Sequence, residues 1–247
     1  MPASKIIVTG AAQGIGRAVA LRMAVTGAHV AIWDVQAEGA EETARLCREQ
    51  GAAARAWRVD DAAADEVEAA VAAFAREWGA PGALVNNAGI YPRAHALDME
   101  LAEWERVLRV NLFGTFHCAR AVARRMKEER GGAIVNMASG RALAGAARGA
   151  HYAASKGGII ALTKSLALDW APHGIRVNCV IPGITDTAQP RGELTDNELY
   201  AMGARIPLGR IGEPRDIAAA VAFLLGDDAA YMTGQSIAVN GGAIMVP

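Results

Sequence analysis

Cysteine, net charge and long apolar runs are all scarce in this chain of 247 residues. Its three cysteines, Cys47, Cys118 and Cys179, are odd in number and far apart, so they predict neither a disulfide framework nor a metal site and favour a reducing compartment. Lys and Arg number 25 against 26 Asp and Glu without a basic run, so no nucleic-acid partner is expected. Charges interrupt every apolar segment before the roughly 18 residues of a membrane span, and a first strand from about Lys5 leaves no room for a signal peptide. We therefore expect a cytoplasmic protein without a membrane partner.

What the chain does have is a regular alternation of short β-branched runs with helical patterns. This alternation is typical of a parallel sheet with helices on both faces. No linker and no repeat divides the chain, so the prediction is an α/β fold, a single doubly wound domain over residues 1–247. The predicted strands are Ile6–Thr9, His29–Trp33, Ala53–Val59, Ala83–Asn86, Ala133–Ala138, Arg176–Ile181 and Ser236–Val239.

Apolar residues at helical spacing mark the segments between the strands. One of these stripes predicts a long helix that ends at about Met126, and a further helix is predicted from about Tyr152 to Trp170. The predicted stripes are Val67, Val71, Phe74 and Trp78; Trp104, Leu108, Leu112 and Phe116; and Ile217, Val221, Leu224 and Leu225.

A glycine-rich segment follows the first predicted strand and opens a helix. Glycine at this place lets the backbone turn tightly and approach a pyrophosphate, whose charge is favoured by the helix N-terminus. The spacing is G-x-x-x-G-x-G, and the alternative is a strand–helix turn that is rich in glycine for packing alone. The predicted dinucleotide contacts in this segment are Gly10, Gln13, Gly14, Ile15 and Gly16.

Asp34 ends the second predicted strand, about 20 residues beyond the glycines, where a carboxylate can accept hydrogen bonds from a ribose 2′-hydroxyl. The same carboxylate would repel the 2′-phosphate of NADP, and no Arg or Lys occupies positions 11–13 to bind that phosphate. The alternative is an aspartate of a surface turn. The predicted cofactor is therefore NAD(H).

Four further residues indicate chemistry: Asn111, Ser139, Tyr152 and Lys156. Tyr152 and Lys156 stand at i and i+4, so on a helix both side chains project from one face, where the ammonium can stabilise a phenolate. Each of the four also has a structural interpretation: a packed ring, a solvated lysine, a cap at a strand end, or an amide that satisfies local backbone. Together with the glycine segment they predict an enzyme that transfers a hydride.

With Thr9–Gly16, Asn86–Gly89, Asn111, Ser139, Tyr152–Lys156 and Pro182-Gly183 in order, the chain resembles the compact, single-domain branch of the short-chain dehydrogenase/reductase family. The resemblance extends over the whole chain. It implies a Rossmann fold with seven parallel strands, and an assembly that is usually a homotetramer.

The resemblance also implies individual contacts with the cofactor. Asn87, Ala88 and Gly89 would lie beside the adenine ribose, and Asp60 would contact the adenine amine. Asp61 departs from the apolar residue that the family has there, but its contact is expected to come from the backbone N–H. Lys156 would also bind the nicotinamide ribose. The predicted contacts with the nicotinamide carboxamide are Gly183, Ile184 and Thr187.

In the implied chemistry, Tyr152 is the general acid or base at the substrate oxygen, and no metal is required. An unperturbed tyrosine has a pKa of about 10, so Lys156 and the positive nicotinamide ring are predicted to lower it. Ser139 would hydrogen-bond the same substrate oxygen and fix its position. Asn111 resembles the family residue that holds a water between Lys156 and solvent.

The substrate is predicted to be a small secondary alcohol or its ketone. Tyr91, Arg141 and Tyr200 are candidate substrate contacts, and residues 185–205 are predicted to form a mobile lid. Arg141 could pair with a substrate carboxylate or phosphate, or face solvent or another subunit. The alternatives are a reductase of 3-oxoacyl thioesters on acyl carrier protein and a catalytically silent NAD-binding scaffold; sugar and steroid dehydrogenation also stay open.

Overall fold

Seven parallel strands form one sheet in the computed structural model, which describes residues 5–129, 131–192 and 194–245. The spatial order is β3-β2-β1-β4-β5-β6-β7. This confirms the predicted doubly wound Rossmann fold, and each predicted strand coincides with an observed one to within about two residues at either end. The strands are β1 Lys5–Thr9, β2 His29–Asp34, β3 Ala54–Arg58, β4 Ala83–Asn86, β5 Gly132–Met137, β6 Ile175–Pro182 and β7 Ser236–Val239.

The strand order reverses beside β1, which pairs with β2 on one side and with β4 on the other. The chain therefore continues from β1 to one side of the sheet and from β4 to the other side. The two connecting segments diverge and leave a crevice outside the carboxyl ends of the strands. In doubly wound sheets this switch point is where ligands bind. The segments that follow the strands at this edge are thus expected to carry the functional residues.

Ten α-helical segments connect or follow the strands in the described part of the chain, and two large apolar cores hold six of them against the sheet. One core joins the sheet to α1, α2 and α10, and the other joins it to α3, α5 and α7. Trp33 and Phe74 are fully buried in the second core. The helices are α1 Gly14–Ala24, α2 Ala37–Glu49, α3 Ala64–Trp78, α4 Leu101–Leu108, α5 Gly114–Glu128, α6 Arg141–Ala144, α7 Ala150–Trp170, α8 Ala188–Arg191, α9 Asp196–Ala204 and α10 Pro214–Leu225.

The predicted long helix consists of α4 and α5 joined by a π-helical turn, Arg109–Phe113. The predicted helix is present, but the apolar stripe that marked it is only partly buried, and the fully buried residues include Val107, Asn111 and Cys118 instead. A π-helical turn holds one extra residue, so it rotates the following face relative to the 3.6-residue period. The stripe is Trp104, Leu108, Leu112 and Phe116, of which Leu112 packs against a small third cluster that includes Ile159.

No helix in the described ranges is both long and apolar enough to cross a membrane. The cysteines Cys47, Cys118 and Cys179 are all buried and unpaired.

Candidate active site

Two adjoining cavities open at the carboxyl edge of the sheet. The larger cavity measures about 460 Å³ and contains Ser139, Tyr152 and Lys156 in its wall. The smaller cavity measures about 280 Å³ and contains Asp34 and Asp60. The two form one elongated cleft, because five residues line both: Ile15, Asn87, Gly89, Thr187 and Gln189.

The glycine segment after β1 packs against the segment after β4 without room for side chains. A Cβ on Gly10 would lie 2.7 Å from the Ala88 Cα, and one on Gly16 would lie 2.3 Å from the Gly10 carbonyl oxygen. The Asn87 side-chain amide donates to the carbonyls of Thr9 and Gly10, at 3.0 and 2.9 Å. Glycine is therefore required here for a close backbone approach, and the segment delivers Gly14 to the N-terminus of α1.

The Asp34 carboxylate lies in the wall of the smaller cavity and is only 8% exposed. Its two oxygens accept the backbone N–H groups of Ala12 and Gln36, both at 2.9 Å. These bonds fix the carboxylate while each oxygen retains a further lone pair for a ligand hydroxyl. The residues present thus fit the ribose of a dinucleotide.

Asp60 and Asp61 follow β3 and complete the acidic wall of the smaller cavity. Asp60 accepts the Ala62 N–H at 2.9 Å. Asp61 is 8% exposed, and burial raises the pKa of its carboxyl group to about 7, against hydrogen bonds from Thr9 and Cys118 that lower it. Three carboxyl groups thus line this cavity. Its described lining contains no Lys, Arg or His side chain.

Tyr152 lies in the larger cavity under the ring of Tyr91, with ring centroids 4.0 Å apart and planes 19° apart. Loss of water around its hydroxyl raises the Tyr152 pKa, while the Ser139 hydrogen bond and the charge of Arg141 lower it. Without a cofactor the net direction is upward, because desolvation outweighs these favourable interactions. The predicted lowering by Lys156 together with the nicotinamide stays a prediction. Ser139, Tyr152 and Lys156 line the same cavity.

The Lys156 ammonium is buried and donates a 2.8 Å hydrogen bond to the carbonyl of Met137 at the end of β5. Burial lowers its pKa to about 8. A Cβ on Gly89 would lie 3.4 Å from this nitrogen and 3.2 Å from Asn111 Oδ1, so Gly89 brings the β4 segment close to both groups.

Asn111 stands in the π-helical turn and is fully buried behind the larger cavity. Its amide accepts the Ile90 N–H at 2.8 Å and donates to the Ile90 carbonyl and to Ser155 Oγ, both at 3.0 Å. The side chain therefore fastens the β4 segment to α7. A water-holding role for Asn111 stays a prediction.

Most predicted site residues lie in the cleft wall. The exceptions are Gly16 and Asn111, which support it from behind, and Tyr200, which is 81% exposed and lines neither cavity. Residues 185–205 include α8 and α9, whose mobility stays a prediction. The predicted residues in the walls are Gly10, Gln13, Gly14, Ile15, Asp34, Asp60, Asp61, Asn87, Ala88, Gly89, Tyr91, Ser139, Arg141, Tyr152, Lys156, Gly183, Ile184 and Thr187.

Sequence reasoning missed the contribution of the segment after β7. Asn240 and Ile244 line the larger cavity, and the Asn240 amide donates to the Ile244 carbonyl at 2.8 Å. Their only sequence signal was an apolar tail after the last strand. Met245 in that tail is 81% exposed, and residues 246–247 lie outside the described ranges.

A family model described as enoyl-(acyl carrier protein) reductase matches residues 10–243. A cis-4-hydroxycyclohexanecarboxylate dehydrogenase from Sinomonas cyclohexanicum is 42% identical over 237 residues, which are 96% of this chain and 94% of that protein. An L-rhamnose 1-dehydrogenase (NAD(P)(+)) from Azotobacter vinelandii is 42% identical over 243 residues, 96% of this chain and 95% of that protein. A 3-oxoacyl acyl-carrier-protein reductase from Vibrio cholerae is 38% identical over 240 residues, 97% of each protein.

The solved structure of a short-chain type dehydrogenase/reductase from Mycobacterium marinum is also similar, with a TM-score of 0.92 and 33% identity over 98% of this chain and 96% of that one. The similarity in sequence and in fold therefore extends over nearly the full length of this chain. The chain belongs to the short-chain dehydrogenase/reductase family and is an oxidoreductase of CH–OH groups.

Proposed function

We propose that the protein transfers a hydride between NAD(H) and a small secondary alcohol or its ketone, with Tyr152 as general acid and base. The observation that carries the proposal is the continuous cleft, which has three carboxyl groups at one end and Tyr152 and Ser139 at the other. A dinucleotide that spans such a cleft would bring its nicotinamide beside the tyrosine. The relative from Sinomonas is itself named for a secondary alcohol, which supports this substrate class.

Oxidation of an alcohol releases one hydride and one proton. When bound, NAD⁺ supplies the acceptor for the hydride, which gives NADH and a ketone. Tyr152 takes the hydroxyl proton, and Ser139 donates a hydrogen bond to the same oxygen and orients the alcohol. In the protein alone the Tyr152 pKa is raised, so the phenolate depends on the added positive charge of the nicotinamide. Lys156, held by Met137, is placed to bind the ribose and to pass the proton onward.

The central test is the variant Tyr152→Phe. It removes the acid–base group but keeps the ring that stacks on Tyr91, so kcat should fall about 100- to 10,000-fold while the NADH dissociation constant changes little. Turnover is measured by NADH absorbance over a panel of secondary alcohols, and binding by NADH fluorescence. Tyr231→Phe is the matched control, since Tyr231 is fully exposed and lies outside both cavities. Wild-type kcat in Tyr152→Phe would contradict the proposal.

The preference for NAD over NADP is tested at Asp34. A 2′-phosphate would lie among carboxyl groups without a cation in the wall of the smaller cavity. Since each 1.4 kcal/mol of repulsion is about tenfold, the kcat/KM ratio of NAD to NADP should exceed about 100 and fall about tenfold or more in Asp34→Asn. Asp228→Asn, an exposed site, should leave the ratio unchanged. A wild-type ratio near one would exclude the preference.

Reduction of 3-oxoacyl thioesters is the second candidate, which the 38% identity to the Vibrio reductase favours. The two functions differ in cofactor and in the size of the substrate. Faster turnover of acetoacetyl thioesters with NADPH than of small ketones with NADH would select the second. Tight NADH binding without turnover of any substrate would instead favour a silent scaffold.

A further inference from the structure

We propose that the substrate is a hydroxy or keto acid whose carboxylate is bound by Arg141, on the arginine-bearing side of the larger cavity. This inference rests on the proposed function and names its substrate class. The first observation is the charge of the wall. Its cations are Arg93, Arg141 and Lys156, and no Asp or Glu belongs to the described lining. Positive side chains in the wall of a cavity favour an anionic substrate over a cationic one.

Arg141 is placed to reach a substrate that is held at Tyr152. It begins α6 two residues after Ser139, and its backbone N–H donates to Ser139 Oγ at 3.2 Å. Its guanidinium is close enough to Tyr152 for its charge to lower the pKa of the phenol. Ser139, which would bind the substrate oxygen, and Arg141 thus lie in the same short segment. A hydroxy acid could therefore contact Ser139 with its hydroxyl group and Arg141 with its carboxylate.

The Arg141 guanidinium has no ion pair and no side-chain hydrogen bond within the described part of the chain. Two arginines in the segment that follows β6 are paired: Arg191 pairs with Asp186 and Asp196, and Arg210 pairs with Asp216. A guanidinium presents two parallel N–H groups that match a carboxylate, so Arg141 retains its full capacity for an anion.

Arg93 adds a second positive charge to the same cavity. Its guanidinium lies 5.2 Å from the centroid of the Tyr91 ring, and that ring stacks on Tyr152. Arg93 therefore contacts the ring that covers Tyr152, and it helps to hold this wall of the cavity in place.

The remaining wall suits a hydrocarbon spacer better than a polyol. The neutral polar side chains of the wall are largely occupied by their own loops: Asn240 by Ile244 and Gly242, Thr185 by Gly183. A polyol would lose water without gaining partners there. The apolar surface between the two polar ends is formed by Ala138, Ala144, Ile184, Met202, Ile206 and Ile244.

The test compares free acids with their uncharged esters. The substrates are a series of hydroxy acids from 3-hydroxybutanoate to 6-hydroxyheptanoate and the methyl ester of each. For wild type, kcat/KM for the best acid should exceed that for its ester about 10- to 100-fold, the range of one charge-assisted hydrogen-bonded pair. Arg141→Gln should abolish this ratio by raising KM for the acid, and Arg141→Lys should restore part of it.

A binding measurement separates recognition from chemistry. In Tyr152→Phe saturated with NADH, the Kd of the matching keto acid is measured by calorimetry, and the added Arg141→Gln change should weaken it about tenfold or more. Arg22→Gln, exposed on α1 and outside both cavities, is the control and should leave the acid-to-ester ratio at the wild-type value.

The outcomes distinguish this inference from the proposed function. Two results would contradict carboxylate binding by Arg141: esters and uncharged ketones turned over as fast as the acids, or an equal effect of Arg141→Gln on acid and ester. Either result would leave the proposed dehydrogenase function standing. A preference for pantetheine thioesters over free acids would indicate that the arginine side of the cavity binds a phosphate. That result would also contradict the proposed binding of a carboxylate. Absence of turnover with every acid, ester and ketone contradicts the proposed function itself.

Discussion

The Asp61 carboxyl group lies between the first strand and α5, where it meets the hydroxyl of Thr9 and the thiol of Cys118. Thr9 Oγ1 accepts the backbone N–H groups of Asn87 and Ala88, at 3.2 and 3.1 Å. Its own proton is therefore left for Asp61. An acidic residue at this position thus joins the hydrogen bonds that hold the segments after β1 and β4 together, although this requires an ionisable group to be buried.

The first prediction at this scale concerns stability and pH. The ordinary pKa of an aspartate is 3.8, and burial raises that of Asp61 to about 7. Between these values the unfolded chain has lost a proton that the folded protein keeps, so the free energy of unfolding falls as pH rises from about 4 to about 7. The loss amounts to at most about 4 kcal/mol and does not grow above pH 7.

Asp61→Asn should remove this pH dependence while its carbonyl oxygen still accepts the Thr9 proton. At pH 8 the variant should be more stable than wild type by about 1–4 kcal/mol, and at pH 4 the two should be nearly equal. Urea unfolding without cofactor, at one protein concentration, measures both. Asp98→Asn, an exposed site, is the control. Parallel pH curves for wild type and Asp61→Asn would contradict the assignment.

At the scale of secondary-structure elements, the strands were the most predictable part of the fold. Central parallel strands are buried on both faces, so they are short continuous apolar runs such as Ile6–Thr9, with clear ends. The helix from Leu101 to Glu128 was predictable in existence but not in orientation. A π-helical turn is a local change in hydrogen bonding that the 3.6-residue period does not reveal, and Asn111 lies within this turn.

The same distinction separates the predictable from the unpredictable parts of the site. Gly10, Asp34, Ser139 and Tyr152 are placed by the ends of strands and by one helix, so their neighbourhood follows from topology. The direction of the Tyr152 pKa shift does not follow from topology. It depends on how far the Tyr152 hydroxyl is buried, and the stacked ring of Tyr91 contributes to that burial. Only packing in three dimensions determines that balance.

At the scale of the whole molecule, the larger cavity collects loops from distant parts of the chain. Its walls come from the segments after β4, β5, β6 and β7, including Tyr91, Ser139, Ile184 and Ile244. Parallel topology brings all four carboxyl ends to one edge, so Ile244 contributes to the same pocket as Tyr152. A Cβ on Gly140 would lie 2.9 Å from Ile244 Cδ1, which shows how closely that residue closes the wall.

This arrangement predicts that Ile244→Ala alters substrate binding without altering cofactor binding. The change removes three carbon atoms from the apolar wall, so at roughly 0.8 kcal/mol for each buried CH₂ the KM of a small substrate should rise about 3- to 30-fold. Bulkier ketones should gain kcat/KM relative to small ones. The NADH Kd should change little, because Ile244 is not among the residues predicted to contact the cofactor.

Met245→Ala is the matched control, since the adjacent side chain is 81% exposed and lies outside both cavities. KM values for a series of ketones of increasing size are measured for both variants, together with NADH binding by fluorescence. Equal effects of the two substitutions would indicate a general disturbance of the tail. An unchanged KM and size preference in Ile244→Ala would show that the segment after β7 does not bound the substrate pocket.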